Sequence, residues 1–572
     1  MGKRSKRVQP DPEGTSERLS WAPVRDWPAI RFRMILCCLS GVMLGFSFPP
    51  FPLGVLACLG LVPLLIVLED LTSVPQALRY SYLAMLVFHA ITLNWTGGYS
   101  HMNDVYMMIA GGVTMLVHPV FYWIPVAAYM YVRRHLGLIP ALIALPALWV
   151  GYEYTHTLSE WSFPWLTLGN SQTYDLVRIQ FISFTGVFGL SFWIVCLNVL
   201  GYLLYLSIVA GRTRLSARRN VILAASFLGL YFIPMVYGMV VLDRHPAEQD
   251  MTSEKSTITV GIVQPNLDPW DKWKMTGYET VDLYLRLTER LLDSIVTKKP
   301  DIVLWPETAI PMYLIARHGN PLLDEFKGRI SRLGVPVLSG VPQAVFYKDS
   351  TLAPRSAKRV PETGERYDAF NAAAFFTPGS DSIPWYGKMK MVPIAERVPY
   401  ADFFAFMDFL RWGVGIGGWQ IGPDSTIFHD VRTGARFSTM ICYESVYPSF
   451  VAAFVRKGAE FITIITIDSW WGKMSGAYQH AQFAILRAVE NRRWVARCAL
   501  GGISCYIDPY GRVQDRSDLF TRALLCRTIG RETDLTHYTR YGDWFSEICL
   551  MISGLMLAAS FGSSVMKKRI SR

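Results

Sequence analysis

Residues 437–445 read FSTMICYES, an apolar, β-prone run that ends abruptly in a cysteine, a tyrosine and a glutamate. Residues 437–441 have the composition of a buried strand, so Cys442 falls where that strand gives way to a turn, the position at which α/β sheets carry their reactive groups. The same arrangement occurs upstream: the apolar run 302–305 passes through Pro306 to Glu307 in WPETAIP (305–311), and WYGKMKMVPIAE (385–396) carries Lys388. A carboxylate, an amine and a thiol are the groups needed for acyl transfer through a thioester. Cysteine is a strong nucleophile but is mostly protonated near neutral pH, so it requires a base and a cation beside it. Spacing alone does not bring the three together; each is equally compatible with a solvated or separately paired side chain until geometry joins them.

The surrounding region supports an α/β class. Residues 257–263 and 301–305 are short β-rich runs, 283–296 has the apolar spacing of a helix, and 461–467 is strongly β-branched.

The first half of the chain is different. Of 572 residues 51% are hydrophobic and only 18% charged, against roughly 25% charged in soluble chains, and the mean hydropathy is positive. Apolar residues crowd into 34–243 and one run near the C-terminus, which predicts an integral membrane protein with a basic cytoplasmic N-terminus (1–33), a membrane domain of about seven helices (34–243), a polar domain (244–545) and a last transmembrane helix with a basic tail (546–572). The candidate spans are 34–48, 53–68, 80–93, 105–132, 138–152, 186–209, 221–242 and 548–566. Basic clusters at Lys3, Arg4, Lys6 and Arg7, at Arg133 and Arg134, at Arg212, Arg214, Arg218 and Arg219, and at Lys567, Lys568, Arg569 and Arg572 all fall on one side by parity. The positive-inside rule makes that side cytoplasmic and the polar domain extracytoplasmic.

This topology also accounts for much of the net charge of +11; there is no aromatic-interleaved basic stripe, so nucleic acid is not an expected partner. The long basic segment before residue 34 and the absence of a small-residue cleavage site predict that the first span is retained. Nine cysteines with no C-x-x-C pair give no metal or disulfide framework, and no phosphate-cradling glycine motif is present; no cofactor and no metal are expected. His89, Asn94 and Glu153, in or beside spans, are expected to face the bundle interior.

Together these motifs resemble the nitrilase superfamily, whose catalytic glutamate, lysine and cysteine occur in this order, and which implies an αββα sandwich. More narrowly, both halves resemble the apolipoprotein N-acyltransferase family of Gram-negative bacteria. The resemblance implies Glu307 as general base from WPE, Lys388 and Glu396 from Y-x-K-x-x-x-V-P and the glutamate that follows, and Cys442, Tyr443 and Glu444 from I-C-Y-E. It extends to Asn371 in FNAAAFF, to Trp273 in DPWDKW, to FPWLTLGNSQ with Pro164, Trp165, Gly169 and Gln172, and to TRYGDW (539–544). Two departures stand out: Ile467 and Asp468 precede Ser469 and Trp470 where the family has asparagine-aspartate, and Gly501 and Gly502 replace an asparagine-containing turn.

What the resemblance implies is transfer of an acyl chain from a phospholipid, with phosphatidylethanolamine as donor, to the α-amine of the S-diacylglyceryl cysteine of exported apolipoproteins, by a monomer in the inner membrane with a periplasmic catalytic domain. Glu396 and Glu444 read either as pocket-shaping carboxylates or as structural ion pairs. His480, Arg487 and Glu490 read as structural. The aromatic stretch 401–421, with Phe404, Phe406 and Trp412, reads as an apolar lid at the membrane surface or as a buried arm. A membrane-anchored amidase and a non-catalytic carrier or scaffold are the rival classes.

The topology is testable with a membrane-impermeant thiol label on spheroplasts carrying single engineered cysteines. Probes in 244–545 are expected to react, and probes beside Arg133 or Arg214 to remain protected; the opposite pattern reverses the orientation.

Overall fold

The computed structural model describes residues 27–97, 105–209, 217–246, 257–295, 298–317, 319–354, 356–400 and 418–570. Most of the aromatic stretch 401–421, including Phe404, Phe406 and Trp412, lies outside the described residues, as do Lys3 to Arg7, Arg212 and Arg214.

Among the described residues six helices are long and apolar enough to cross a bilayer: Trp27–Phe46, Met108–Leu136, Leu138–His156, Val187–Ile208, Ala217–Arg244 and Trp544–Ile570. The other two apolar windows of the sequence also fold as helix. Residues 53–68 form the shorter apolar segment Gly54–Glu69, built from short pieces with Pro63 opening the last of them, and 80–93 lie largely within Val74–Thr92, which carries Arg79. The first and last helices begin at Trp27 and Trp544, ahead of the apolar runs, because Pro28 suits a first helical turn and helix propensity does not end where hydropathy does. The last helix returns to pack on Leu138–His156 and Trp123–Leu136, with Gly151 against Ser553.

The polar half is a sandwich of two sheets. Its strands are β1 (Thr257–Gln264), β2 (Ile302–Leu304), β3 (Val337–Phe346), β4 (Lys358–Arg359), β5 (Arg366–Phe376), β6 (Trp385–Gly387), β7 (Phe428–Asp430), β8 (Ala435–Ile441), β9 (Phe461–Thr466), β10 (Val495–Ala499), β11 (Cys505–Ile507), β12 (Val513–Gln514) and β13 (Ala523–Gly530). One sheet runs β13-β1-β2-β3-β5-β4 with β6 paired to β5, the other β12-β11-β10-β9-β8-β7. The cores β1-β2-β3 and β8-β9-β10 are parallel. This explains the unbroken apolar, β-branched run of β9, since a parallel strand is covered on both faces. Tyr506 ties the sheets together, its hydroxyl donating to the Val260 carbonyl at 2.6 Å.

Helices Gly277–Ser294 and Pro321–Leu333 cover the first sheet, and Pro448–Arg456 and Ser475–Asn491 the second, giving helix, sheet, sheet, helix. Their ends follow local rules: Thr276 and Glu279 form a capping box, and Asn320 caps a helix that Gly334 ends in a left-handed conformation.

The helix Ser475–Asn491 is also where the sandwich meets the membrane half. Gln479 is 1% exposed and all four hydrogen-bonding positions of its amide are used: Oε1 accepts from the indoles of Trp95 (3.0 Å) and Trp165 (2.7 Å), and Nε2 donates to the carbonyls of Pro49 (2.9 Å) and Thr92 (3.0 Å). One side chain therefore joins three separate membrane-half segments to the second sheet's covering helix. Gly476 lets this approach occur, since a Cβ there would come within 2.5 Å of the Trp95 ring.

Gln479→Leu keeps the volume and strands two indole N–H groups and two carbonyls. Thermal unfolding of the purified protein in detergent is expected to show a lowered midpoint, equivalent to about 2–4 kcal/mol.

Candidate active site

Glu307, Lys388 and Cys442 converge. Glu307 follows β2, Lys388 follows β6 and Cys442 follows β8, so ends of strands from both sheets meet at one edge of the sandwich. The Glu307 carboxylate is held from two sides: Asn371 Nδ2 donates to Oε1 at 2.7 Å, and the Ile467 backbone N–H donates to Oε2 at 3.1 Å. Lys388 Nζ lies 3.6 Å from Glu307 Oε1 and 2.7 Å from Glu396 Oε1, and Glu396 Oε2 accepts from the Val392 N–H at 2.8 Å. Cys442 adopts φ of 53°, an uncommon left-handed conformation that turns the chain sharply from β8 into the single turn Cys442–Val446.

Burial pushes the Cys442 thiol above its ordinary range, and the Glu307 carboxylate adds to this while Lys388 partly offsets it. These surroundings favour the neutral thiol at Cys442. For Lys388, burial alone favours the neutral amine, but the Glu396 and Glu307 carboxylates together outweigh it and hold the ammonium above its ordinary value. The site thus combines a neutral thiol, an adjacent carboxylate and a lysine kept charged.

Glu396 is an ion-pair partner that also lines the site. Glu444 pairs with no ammonium among the described residues; it ties the Lys388 segment to the Cys442 turn by accepting from the Tyr386 hydroxyl (2.6 Å) and the N–H groups of Met389 (2.6 Å) and Ile441 (2.7 Å). Burial pushes its carboxyl up to about 7. Tyr443 stacks on Phe163 and Trp165 of the membrane half and donates to the Ser162 carbonyl at 3.2 Å. Trp273 sits apart from the site lining, beside Lys272.

His480 is tied to the nucleophile's backbone: Nε2 lies 3.0 Å from the Cys442 carbonyl oxygen and Nδ1 2.9 Å from Asp468 Oδ1. Burial would raise the Asp468 carboxyl, but Arg497 and His480 hold it well below its ordinary range. Arg487 and Glu490 pair with one another away from the site lining. The departures at 467, 501 and 502 follow a pattern. Ile467 serves Glu307 through its backbone, which no side-chain change removes, and Gly502 leaves room for Asp468, whose Oδ2 a Cβ would approach to 2.2 Å.

Lys272 was not singled out by the sequence. It is fully buried, its Nζ donates to Thr308 Oγ1 at 2.6 Å, and burial lowers it to about 7 despite the Glu307 charge. PWDKWK, with charges all around it, reads as surface; only the packing buries it.

Cys442, Glu307 and Glu396 open onto a cavity of about 300 Å³. One wall is sandwich, with Val392, Tyr443, Trp470 and Trp471; the other is membrane half, with Ala110, Val113, Thr114 and Val117 of one helix and Trp95, Phe163 and Trp165. Besides Glu307, Glu396 and Cys442, the polar part of the lining is His118, His480, Thr96 and Thr114; the rest is almost entirely apolar and aromatic.

A glutamate, lysine and cysteine at the strand ends of such a sandwich define a carbon-nitrogen hydrolase-type domain, and the sequence model of the carbon-nitrogen hydrolases matches residues 259–534. The apolipoprotein N-acyltransferase N-terminal domain matches residues 40–200. Curated relatives span the whole: the apolipoprotein N-acyltransferase of Chlorobaculum tepidum is 34% identical over 527 residues, covering 91% of this chain and 94% of that protein, and that of Geobacter metallireducens is 30% identical over 540 residues, covering 94% and 97%. Among solved structures, Saccharomyces cerevisiae Nit3 of the nitrilase superfamily aligns with 48% of this chain and 90% of its own at 15% identity and a TM-score of 0.35. The chain belongs to the apolipoprotein N-acyltransferase family.

Gly340 of β3 lies beneath the Glu307 turn, and a Cβ there would come within 2.3 Å of the Thr308 nitrogen and 2.6 Å of the Glu307 Cα. Gly340→Ala is expected to displace Glu307 and lower turnover about 10²-fold, while overpacking costs about 1–3 kcal/mol in thermal unfolding.

Proposed function

We propose that this protein transfers an acyl chain from phosphatidylethanolamine to the N-terminal α-amine of S-diacylglyceryl cysteine in exported apolipoproteins, through a thioester on Cys442. The observation that carries the reading is the cavity itself: the thiol and its neighbouring carboxylate, which is paired with the buried Lys388, open onto largely apolar space walled partly by a membrane helix, which suits a substrate whose reactive ester hangs from a lipid. The relatives named above support the same reading.

In the first half-reaction Glu307 takes the Cys442 proton as sulfur attacks the ester carbonyl, and Lys388 stabilises the oxyanion of the tetrahedral intermediate. The acyl C–O bond breaks, the proton passes to the departing glycerol oxygen, and a lysophospholipid leaves. In the second, the amine attacks the thioester, the C–S bond breaks, and Glu307 returns a proton to sulfur. Amide formation from a thioester is downhill, so no nucleotide is needed. Glu396 keeps Lys388 charged, Asn371 orients Glu307, Glu444 fixes the Cys442 turn against the Lys388 loop, and Tyr443 and Trp273 contact or support substrate.

The proposal extends to the setting: a monomer in the inner membrane, with about eight spans and the domain 244–545 in the periplasm.

Mass spectrometry of the purified protein after incubation with phosphatidylethanolamine is expected to show one acyl adduct on Cys442, discharged by a diacylglyceryl-cysteine peptide to give the amide. Cys442→Ala is expected to abolish adduct and transfer. Lys388→Ala is expected to slow both half-reactions by the equivalent of about 3–4 kcal/mol. Release of the acyl group as free acid in the presence of the peptide would identify a hydrolase instead.

A further inference from the structure

Three histidines in the membrane half play no part in this chemistry, yet they form a continuous hydrogen-bonded array. His89 Nδ1 lies 2.6 Å from the Met85 carbonyl oxygen, His89 Nε2 lies 2.7 Å from His118 Nδ1, and His118 Nε2 lies 3.1 Å from His156 Nε2. His156 Nε2 also accepts from the Phe163 N–H at 3.2 Å. His89 is fully buried, His118 lines the cavity that holds Cys442, and His156 is half-buried. The array therefore runs from the bundle interior, past the reaction chamber, to a partly exposed end at His156.

Counting donors determines what the array can hold. The Met85 carbonyl only accepts and the Phe163 N–H only donates. To accept from Phe163, His156 Nε2 must carry no proton, so the contacts from Met85 to His89, His89 to His118 and His118 to His156 need three protons from His89 and His118. Two neutral imidazoles supply one ring N–H each. With the one lone pair of His156 Nε2 shared between the Phe163 N–H and His118, the observed set of contacts is complete only with one additional proton; without it, one contact in the row is unmade.

Around the array, the Tyr122 ring lies 5.6 Å from His89 and 6.2 Å from His118, Tyr152 stacks on His156 at 5.8 Å, and Glu153 uses Oε1 to accept from Trp149 and the Leu168 N–H. Glu307, Glu396 and His480 face it across the chamber. Among the described residues no carboxylate forms an ion pair with any of the three histidines. Burial opposes a standing cation, while the bond completed on protonation favours one, which suits a proton loaded and emptied within a turnover.

The proposed reaction has such a proton. The first half-reaction conserves protons, because the thiol proton leaves on the lysophospholipid hydroxyl. In the second, an α-amine with a reference pKa of about 8 arrives as an ammonium. Forming the amide removes two of its protons, and only one returns to the Cys442 sulfur.

We infer that His89, His118 and His156 form a one-proton acceptor for the amine half-reaction, taking at His118 the proton the incoming ammonium must lose before it attacks, and releasing it at His156. This rests on the acyl-transfer reading above.

The test uses full-length His118→Asn, His118→Gln and His156→Gln proteins in detergent. Acyl-adduct formation on Cys442 with phosphatidylethanolamine is measured separately from single-turnover transfer to a diacylglyceryl-cysteine peptide across about pH 6 to 10. Adduct formation is expected within about twofold of the unaltered protein, with transfer tenfold or more slower near neutral pH and recovering above about pH 9, where the amine arrives neutral. Transfer that is unchanged near neutral pH, a deficit that is the same at every pH, or loss of both half-reactions together would overturn the inference. Failure of the unaltered protein to form the adduct would overturn the acyl-transfer reading instead.

Discussion

Lys388 has no access to water, and an ammonium there is tenable only because carboxylates face it at 2.7 Å and 3.6 Å. Everything near the site answers to that constraint. Asn371 and the Ile467 N–H occupy the carboxylate oxygens of Glu307 so that it meets the lysine in one orientation, and the Val392 N–H does the same for Glu396. Burial first, and then two carboxylates against one ammonium, favour a protonated thiol at Cys442. On the proposed reading, reactivity depends on a proton acceptor in place at the moment of attack rather than on a standing thiolate.

The cavity is shared. Cys442 belongs to the sandwich, but the wall facing it comes from a membrane helix and the loop after Leu138–His156. Trp165 links the two, stacking on Tyr443 beside the nucleophile while its indole is fixed by Gln479. A shift of the sandwich on its membrane base would therefore alter the chamber beside Cys442 directly.

How much of this the sequence carries depends on the range of the interaction. Cys442, Glu307 and Lys388 are legible because each ends a short apolar strand in a local motif, and the helices because hydropathy is a local property. Glu444 sits in the right motif, but its work of tying the Cys442 turn to the Lys388 segment depends on Tyr386 and Met389, more than fifty residues away. Gln479 is one polar residue in a helix until its partners at Trp95 and Trp165 are seen, over three hundred positions distant. Lys272 hides among charged neighbours, and the histidine array joins three helices whose sequences show only isolated histidines. The segment Gly54–Glu69 shows the opposite limit: its hydropathy is clear, while its broken backbone follows from glycines and prolines that a hydropathy window averages away.

The pairing of β1 with β13 joins the first strand of the sandwich to the last. Nearly the whole domain separates them in sequence, so the sheet's edge cannot close until the chain is almost complete, and closure carries the entropy of a very long loop. Earlier strands can pair among themselves, but β1 waits with one edge bare for a partner made just before the final helix Trp544–Ile570. The membrane helices, complete long before, supply a fixed platform during that interval. Synthesis from the ribosome thus imposes an order on assembly: anchor first, sandwich core next, and the closing strand and the last helix at the end.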